Sequence, residues 1–203
     1  MFQNCQDLAA PEKYQLLVNG VVPRPIAWVS TLSEQGISNL SPYSFFSVAS
    51  VNPPVLTITQ VPARNRPHKD TMLNLLATKE CVVNVVTEDT AELMNDSCAD
   101  YPHDTSEIEQ LNIETSVSEL VKVPGVAAAK MRFECKLRDT VSISDEPAGG
   151  TLILLDVLGI YVADELVEDQ KIQGAALKAV GKLGGNGYCK LDSTFEMERP
   201  TLA

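Results

Sequence analysis

From Thr151 to Ala163 the chain reads TLILLDVLGIYVA, apolar at both alternating sets of positions except for Asp156. The run has the length and composition of a strand but no wet face. In an antiparallel protein, a strand buried on both sides belongs to a barrel wall whose outer surface is covered by a helix or a second subunit. The preceding segment differs. Met131, Phe133, Cys135 and Leu137 alternate with Arg132, Glu134, Lys136 and Arg138, which gives one buried face and one solvated face. Ala148-Gly149-Gly150 supplies the turn between the two.

The rest of the pattern agrees with a barrel. Pro11–Val18 is a short opening helix, with proline suited to a first turn. Arg24–Thr31 and Ile37–Leu40 flank the turn Ser33-Glu34-Gln35-Gly36 and predict a hairpin. Tyr43–Val48 continues as an irregular strand, and Val55–Gln60 follows the break at Asn52-Pro53-Pro54. Lys69–Lys79 has apolar residues at helical spacing, and Cys81–Val86 is β-branched on both faces. Thr87–Ala99, Ser106–Leu111 and Gly174–Leu183 predict three further helices. Strict β-α-β alternation is missing, which excludes a doubly wound parallel sheet. The expected fold is mainly β, an antiparallel barrel with peripheral helices in one domain spanning residues 1–203.

Charge and cysteine usage narrow the function classes. With 16 basic and 27 acidic residues the net charge is −11, which excludes general nucleic-acid binding through a basic surface. No run approaches the ~20 apolar residues of a membrane-spanning helix, and the N-terminus lacks the apolar region of a secretory signal. Five scattered cysteines and two histidines form no C-x-x-C pair or zinc pattern. They read as buried or half-buried thiols in a reducing compartment, and the protein as soluble and cytoplasmic. No G-x-G-x-x-G, G-x-S-x-G or H-E-x-x-H occurs, and Gly181-Lys182 is followed by Leu183 rather than the Ser/Thr of a P-loop. Glu88-Asp89 and Asp164-Glu165 read as solvated element ends. His103 is either a proton donor or a surface turn residue.

Two places carry chemistry. Ser38, Ser41, Ser44 and Ser47 surround Tyr43, Phe45 and Phe46. They are either a set of hydroxyls and rings that border a polar heterocycle or a barrel core with its serines turned outward. The second is RNRPHKDT, residues 64–71, which sets Arg64, Arg66, His68 and Lys69 at the start of a helix in an acidic chain. Free N–H groups and the helix dipole favour an anion there, and the alternative is a solvated basic loop.

In their order and spacing these segments resemble the flavin reductase-like family of FMN-binding split barrels, the group that includes flavoredoxin. The likeness runs through Arg24-Pro25-Ile26-Ala27, Ser30-Thr31, Gly36 and Asn39-Leu40-Ser41-Pro42-Tyr43-Ser44-Phe45-Phe46. It continues through Pro53-Pro54-Val55, Lys69-Asp70-Thr71 with Asn74, Val82-Val83-Asn84-Val85, Leu183-Gly184-Gly185, Tyr188, Phe195 and Arg199-Pro200. The resemblance implies a homodimer of split barrels with FMN near the subunit interface. Ser30, Thr31, Asn39 and the stretch Ser41, Pro42, Tyr43, Ser44, Phe45, Phe46, Ser47 would border the flavin. Arg66, Lys69 and Thr71 would serve the phosphate, and Asp70 between them would belong to the cofactor site. Gly184, Gly185 and Tyr188 would approach from the C-terminal side, the tail 184–203 packing on the flavin site. Lys182 stands where many relatives carry Arg, and a lysine cannot reproduce a guanidinium fork.

The activity implied is NADH- or NADPH-dependent reduction of FMN. The runner-up is a flavoredoxin-like electron carrier reduced by a partner protein, and a flavin-free barrel used as a binding module is a third reading. Flavin carries the redox chemistry itself, so no metal and no acid–base side chain is required.

Overall fold

The computed structural model describes residues 1–62 and 69–201. Arg64, Arg66 and His68 lie outside the described residues. In chain order the elements are α1 (Ala10–Gly20), β1 (Ala27–Leu32), β2 (Ser38–Tyr43), β3 (Phe46–Val51), β4 (Pro54–Gln60), α2 (Asp70–Thr78) and β5 (Glu80–Val85). There follow α3 (Ala91–Asp96), α4 (Glu107–Gln110), β6 (Thr115–Ser116), β7 (Gly125–Val126), β8 (Met131–Ser142) and β9 (Thr151–Val162). Two short hairpins end the chain, β10 (Val167–Glu168) with β11 (Lys171–Ile172), and β12 (Gly181–Lys182) with β13 (Tyr188–Cys189).

Among the described residues, seven strands form one antiparallel sheet in the order β2-β1-β5-β8-β9-β4-β3. Its two outermost strands are consecutive in sequence, with Ser44 and Phe45 alone between them. The Thr59 N–H donates to the Phe45 carbonyl at 2.8 Å, which extends the β3–β4 ladder into this seam. The sheet therefore curls back on itself around one bent strand, as a split β-barrel with peripheral helices. The irregular strand predicted over Tyr43–Val48 is this bend, with Ser44 and Phe45 outside both strands.

Strand alternation sorts the side chains. Ala27, Val29, Tyr43, Leu56, Ile58, Cys81, Val83, Cys135, Ile153 and Leu155 fill the interior, and Met72 and Leu75 of α2 close one end. Fully burying a side chain of this size contributes ~1.5–3 kcal/mol. On the opposite face Trp28, Leu40 and Val86 pack against Met94 of α3 and Ile108 of α4. Trp28 Nε1–H donates to Ser97 Oγ at 2.9 Å, and the buried Glu107 carboxylate accepts the Leu40 N–H at 2.9 Å. Ser38 and Ser106 hydroxyls meet at 2.5 Å on the same face.

Three expectations need correction. Gly174–Leu183 is not a helix. A single 3₁₀ turn covers Gly174–Leu177, and Lys178 ends it in the left-handed region at φ 51°. The backbone beyond is drawn into tertiary pairing. Val180 N–H donates to Val86 O at 3.0 Å, and Lys182 N–H to Arg24 O at 2.8 Å. These bonds replace the intrahelical ones that the short apolar period suggested. Second, of the two covers expected over the outer face of β9, a helix is not found among the described residues: Leu158 and Ile160 are 43% and 55% exposed, and Leu120 packs near Gly159. Third, Cys5 and Cys98 are exposed and Cys189 half-buried, leaving Cys81 and Cys135 as the buried pair; Cys5 sits in an N-terminal turn without buried residues. The helices predicted over Thr87–Ala99 and Ser106–Leu111 shrink to α3 and α4, a 3₁₀ turn at Glu88–Thr90 preceding α3. No helix among the described residues is long and apolar enough to cross a membrane.

Candidate flavin groove

The predicted site residues divide by where their polar atoms are spent. Ser30 and Thr31 are adjacent in β1, both 0% exposed, and engage opposite surroundings. Ser30 Oγ–H is directed at the carbonyls of Pro124 (2.7 Å) and Val82 (3.3 Å). Thr31 Oγ1 accepts from Asn74 Nδ2 (3.0 Å) and Asn39 Nδ2 (3.4 Å), and Asn39 Nδ2 also donates to Thr71 Oγ1 at 2.9 Å. Thr31, Asn39, Thr71 and Asn74 thus form a buried, mutually satisfied network that fastens α2 to β1 and β2. None of the four lines a cavity described below, and neither does Ser30.

A second group surrounds open space. Pro42, Tyr43, Ser44 and Phe45, at the end of β2 and the seam, line a cavity of about 170 Å³ with Tyr14 of α1 and Lys69 at the start of α2. Ser41 is half-buried between Asn39 and Tyr43 along β2. Lys69 is the N-cap residue of α2, and no side chain caps that helix start. Its ammonium lies 5.1 Å from the centre of the Tyr43 ring and forms no ion pair among the described residues. Burial pushes its pKa down. The Tyr43 ring is a barrel-core residue, yet its hydroxyl has no hydrogen-bond partner among the described residues. Burial, with the Asp70 charge nearby, pushes its pKa up, and the Thr71 side chain, a polar neighbour though not in hydrogen-bond geometry, opposes the shift. A buried hydroxyl without a partner costs about 1–3 kcal/mol. Asp70, first residue of α2, meets His103 Nδ1 through Oδ1, which ties the otherwise exposed His103 turn to this helix start.

The C-terminal hairpin forms the other side. A cavity of about 960 Å³ opens between α3 and β12–β13, lined among others by Asn95, Cys98, Lys182, Gly185 and Tyr188. Lys182 Nζ donates to the carbonyls of Gly185 and Gly187 and stands 4.3 Å from the Tyr188 ring centre, so it pins the intervening turn. Burial, with the Arg24 guanidinium behind it, pushes the Lys182 pKa down. Gly184 does not line the cavity. It backs onto Asn19 of α1 so closely that a Cβ would fall inside contact distance of the amide. Cys98 links the two spaces, because both Lys69 and Lys182 lie within electrostatic reach of its thiol. Partial burial of the sulfur pushes that thiol's pKa up, and the two lysines oppose the shift.

Sequence spacing assigns no site role to Arg24, Cys98 or Gln60. Arg24 is 6% exposed and donates to the carbonyls of Val18, Val21 and Leu183, which ties α1 to the C-terminal hairpin. Its signal was the Arg-Pro pair ahead of β1, which says nothing of burial. Gln60 Oε1 receives the Lys69 N–H at 3.4 Å. Cys98 belongs to no motif. Phe46 packs on the barrel core and, with Ser47, lines a different cavity beyond the seam.

Residues 19–176 match the model of the flavin reductase like domain family. An uncharacterized protein of Halalkalibacterium halodurans is 38% identical over 203 residues, covering 98% of this chain and 97% of its own. Component B of the nitrilotriacetate monooxygenase of Bacillus cereus superposes with a TM-score of 0.91 at 30% identity, over 97% of this chain and 98% of that one. The 2-nitrobenzoate 2-nitroreductase of Pseudomonas fluorescens superposes with a TM-score of 0.90 at 28% identity, over 100% and 98%. With these likenesses running from α1 to the C-terminal hairpin, the chain belongs to the flavin reductase-like family.

Proposed function

We propose that this protein is an FMN-dependent oxidoreductase that reduces FMN with NADH or NADPH, acting as a cytoplasmic homodimer. The observation that carries the reading is the partnerless, buried Tyr43 hydroxyl beside the uncapped start of α2, with the Lys69 ammonium over the same ring. Those three features fit a phosphate. The hydroxyl and the first N–H groups of α2, Thr71 among them, would donate to its oxygens, and Lys69 would supply opposite charge; Arg66, the other expected cation, lies outside the described residues. Asp70 holds the His103 turn rather than the anion. Pro42, Ser44 and Phe45 offer a wall for a flat ring, and the cavity carrying Cys98, Lys182 and Tyr188 gives that ring room on the C-terminal side.

Bound there, FMN would supply the redox chemistry by accepting a hydride from the nicotinamide. The protein's part is positional and electrostatic. Lys69 and Lys182 keep positive charge beside the groove, where negative charge builds on reduction. Ser30, Thr31 and Asn39 act as the frame beneath it, and of the C-terminal tail only the first turn, pinned by Lys182, borders the groove, since residues 191–201 are exposed. The apolar stripe of Leu158 and Ile160 on β9 is the surface for the second subunit, since no helix covers it among the described residues.

Stopped-flow mixing of the purified, flavin-loaded protein with NADH or NADPH tests the activity. Bleaching of the flavin absorbance within turnover time is the expected result. Absence of bleaching with both nucleotides, alongside rapid reduction by a donor protein, would make the chain an electron carrier instead. A protein that neither retains nor rebinds FMN contradicts both readings.

A further inference from the structure

Beyond the Ser44-Phe45 seam lies a cavity of about 460 Å³, inside the ~300–1,000 Å³ range of small-molecule pockets. Its walls are apolar and flat, formed by the rings of Phe45 and Phe46, Pro23 and Pro25, with Leu17 and Val21 of α1. Arg24 also lines it and is the one charged residue that does among the described residues. This guanidinium is 6% exposed. The carbonyls of Val18, Val21 and Leu183 accept its N–H groups, and Ser44 Oγ accepts at 3.4 Å. Carbonyls satisfy donors but carry no formal charge, and Arg24 forms no ion pair among the described residues. A chain of net charge −11 thus keeps a buried, uncompensated cation beside an apolar cavity without a carboxylate in its lining. In such a low-dielectric setting an anion is attracted far more strongly than at the surface. The hydroxyls of Ser44, Ser47 and Thr59 line the same space and donate to no acceptor among the described residues.

The geometry points to this cavity as a binding site for a small aromatic anion of the benzoate class. The ring lies between Phe45, Phe46 and the prolines, and the carboxylate faces Arg24 with the Ser44 and Ser47 hydroxyls. Offset or edge-to-face packing suits an aromatic ring against two phenyl groups, and a charge-assisted hydrogen bond favours the anion over its neutral analogue. The inference stands whether or not flavin binds. If it does, Ser44, Phe45 and Thr59 belong to both cavities, and the anion sits beside the groove without occupying it.

Calorimetric titration of the full chain, saturated with FMN, with benzoate, benzamide and benzylamine provides the test. Saturable one-site binding of benzoate is expected, with benzamide weaker by ~10-fold or more and benzylamine not binding. Arg24→Met removes the charge but also loosens α1 and the C-terminal hairpin, so a second variant is needed. Ser47→Trp fills the cavity from an exposed position on β3, and it should abolish benzoate binding while leaving the melting curve unchanged. Equal affinity for benzoate and benzamide, benzoate binding that survives in a folded Ser47→Trp protein, or no saturation up to ~10 mM overturns the inference. So does displacement of FMN by benzoate, which would put the anion in the groove instead.

Discussion

Two polar clusters meet at the start of α2, and they are built in opposite ways. In one, Thr31, Asn39, Thr71 and Asn74 exchange hydrogen bonds of 2.9–3.4 Å in a place with almost no exposure. In the other, Tyr43 and Lys69 stand against each other with a buried hydroxyl that lacks a partner and an ammonium without an anion among the described residues. Thr71 belongs to both, its side chain to the first and its backbone to the open helix start. A closed network stabilises the frame, and an unmet one is held in place by the frame at a cost that a ligand can offset. The contrast separates residues that a sequence motif presents as one set.

The largest expected effect comes from breaking the closed cluster. Asn74→Ala leaves Thr31 Oγ1 without its nearer donor in a buried place and should lower stability by about 2–3 kcal/mol. In a chain of this size that is roughly 4–12 °C in the melting temperature. The ratio of FMN to riboflavin affinity should not change. A large shift in that ratio would merge the two clusters into one site.

Lys69→Ala acts the other way round. It should weaken FMN by about 10–100-fold, the worth of a hydrogen bond to a charged group, with riboflavin affected several-fold less and the melting temperature of the ligand-free protein unchanged or higher. Equal losses for both ligands would assign Lys69 to the frame. Tyr43→Phe sharpens the contrast because its two effects have opposite signs. Removing a buried hydroxyl without a partner should raise the stability of the ligand-free protein by up to about 1 kcal/mol, and FMN should bind a few-fold more weakly. A destabilised Tyr43→Phe protein would mean that the hydroxyl is satisfied without ligand.

The smallest effect is on pH dependence. Burial sets the folded pKa of Lys69 below its unfolded value of 10.5. Between the two values the unfolded chain holds more protons, so ligand-free stability rises with pH through that window and the cost of burying the cation is constant below it. A phosphate dianion pulls the same pKa back up. The FMN-to-riboflavin affinity ratio should therefore fall as pH rises from neutral toward the ordinary lysine pKa, and Lys69→Met should flatten the curve. A flat curve in the unaltered protein would remove Lys69 from the phosphate site.

Much of this fold is written in strand alternation. The one-sided pattern of Met131–Arg138 and the two-sided pattern of Thr151–Ala163 give adjacent walls, and the bend at Ser44-Phe45 lets the sheet return to its start. Period alone failed at Gly174–Leu183, where pairing with Arg24 and Val86 outweighs a short helical pattern. The site was legible in outline and mixed in detail. Ser30 and Thr31 are consecutive hydroxyl residues in one strand, so they face opposite sides, and both sides happen to be buried. Spacing predicts the opposition but not the burial. The Arg24–Leu183 bond and the approach of Lys182 to Cys98 each join chain segments more than 80 residues apart, and no local pattern encodes them.

Equilibrium titration of the flavin-free protein with FMN and with riboflavin, under identical conditions, measures what the phosphate contributes. If Tyr43, Lys69 and the start of α2 form its site, FMN binds at least ~10-fold tighter than riboflavin, as charge-assisted hydrogen bonds require. Equal affinities would mean that the open cluster holds no phosphate.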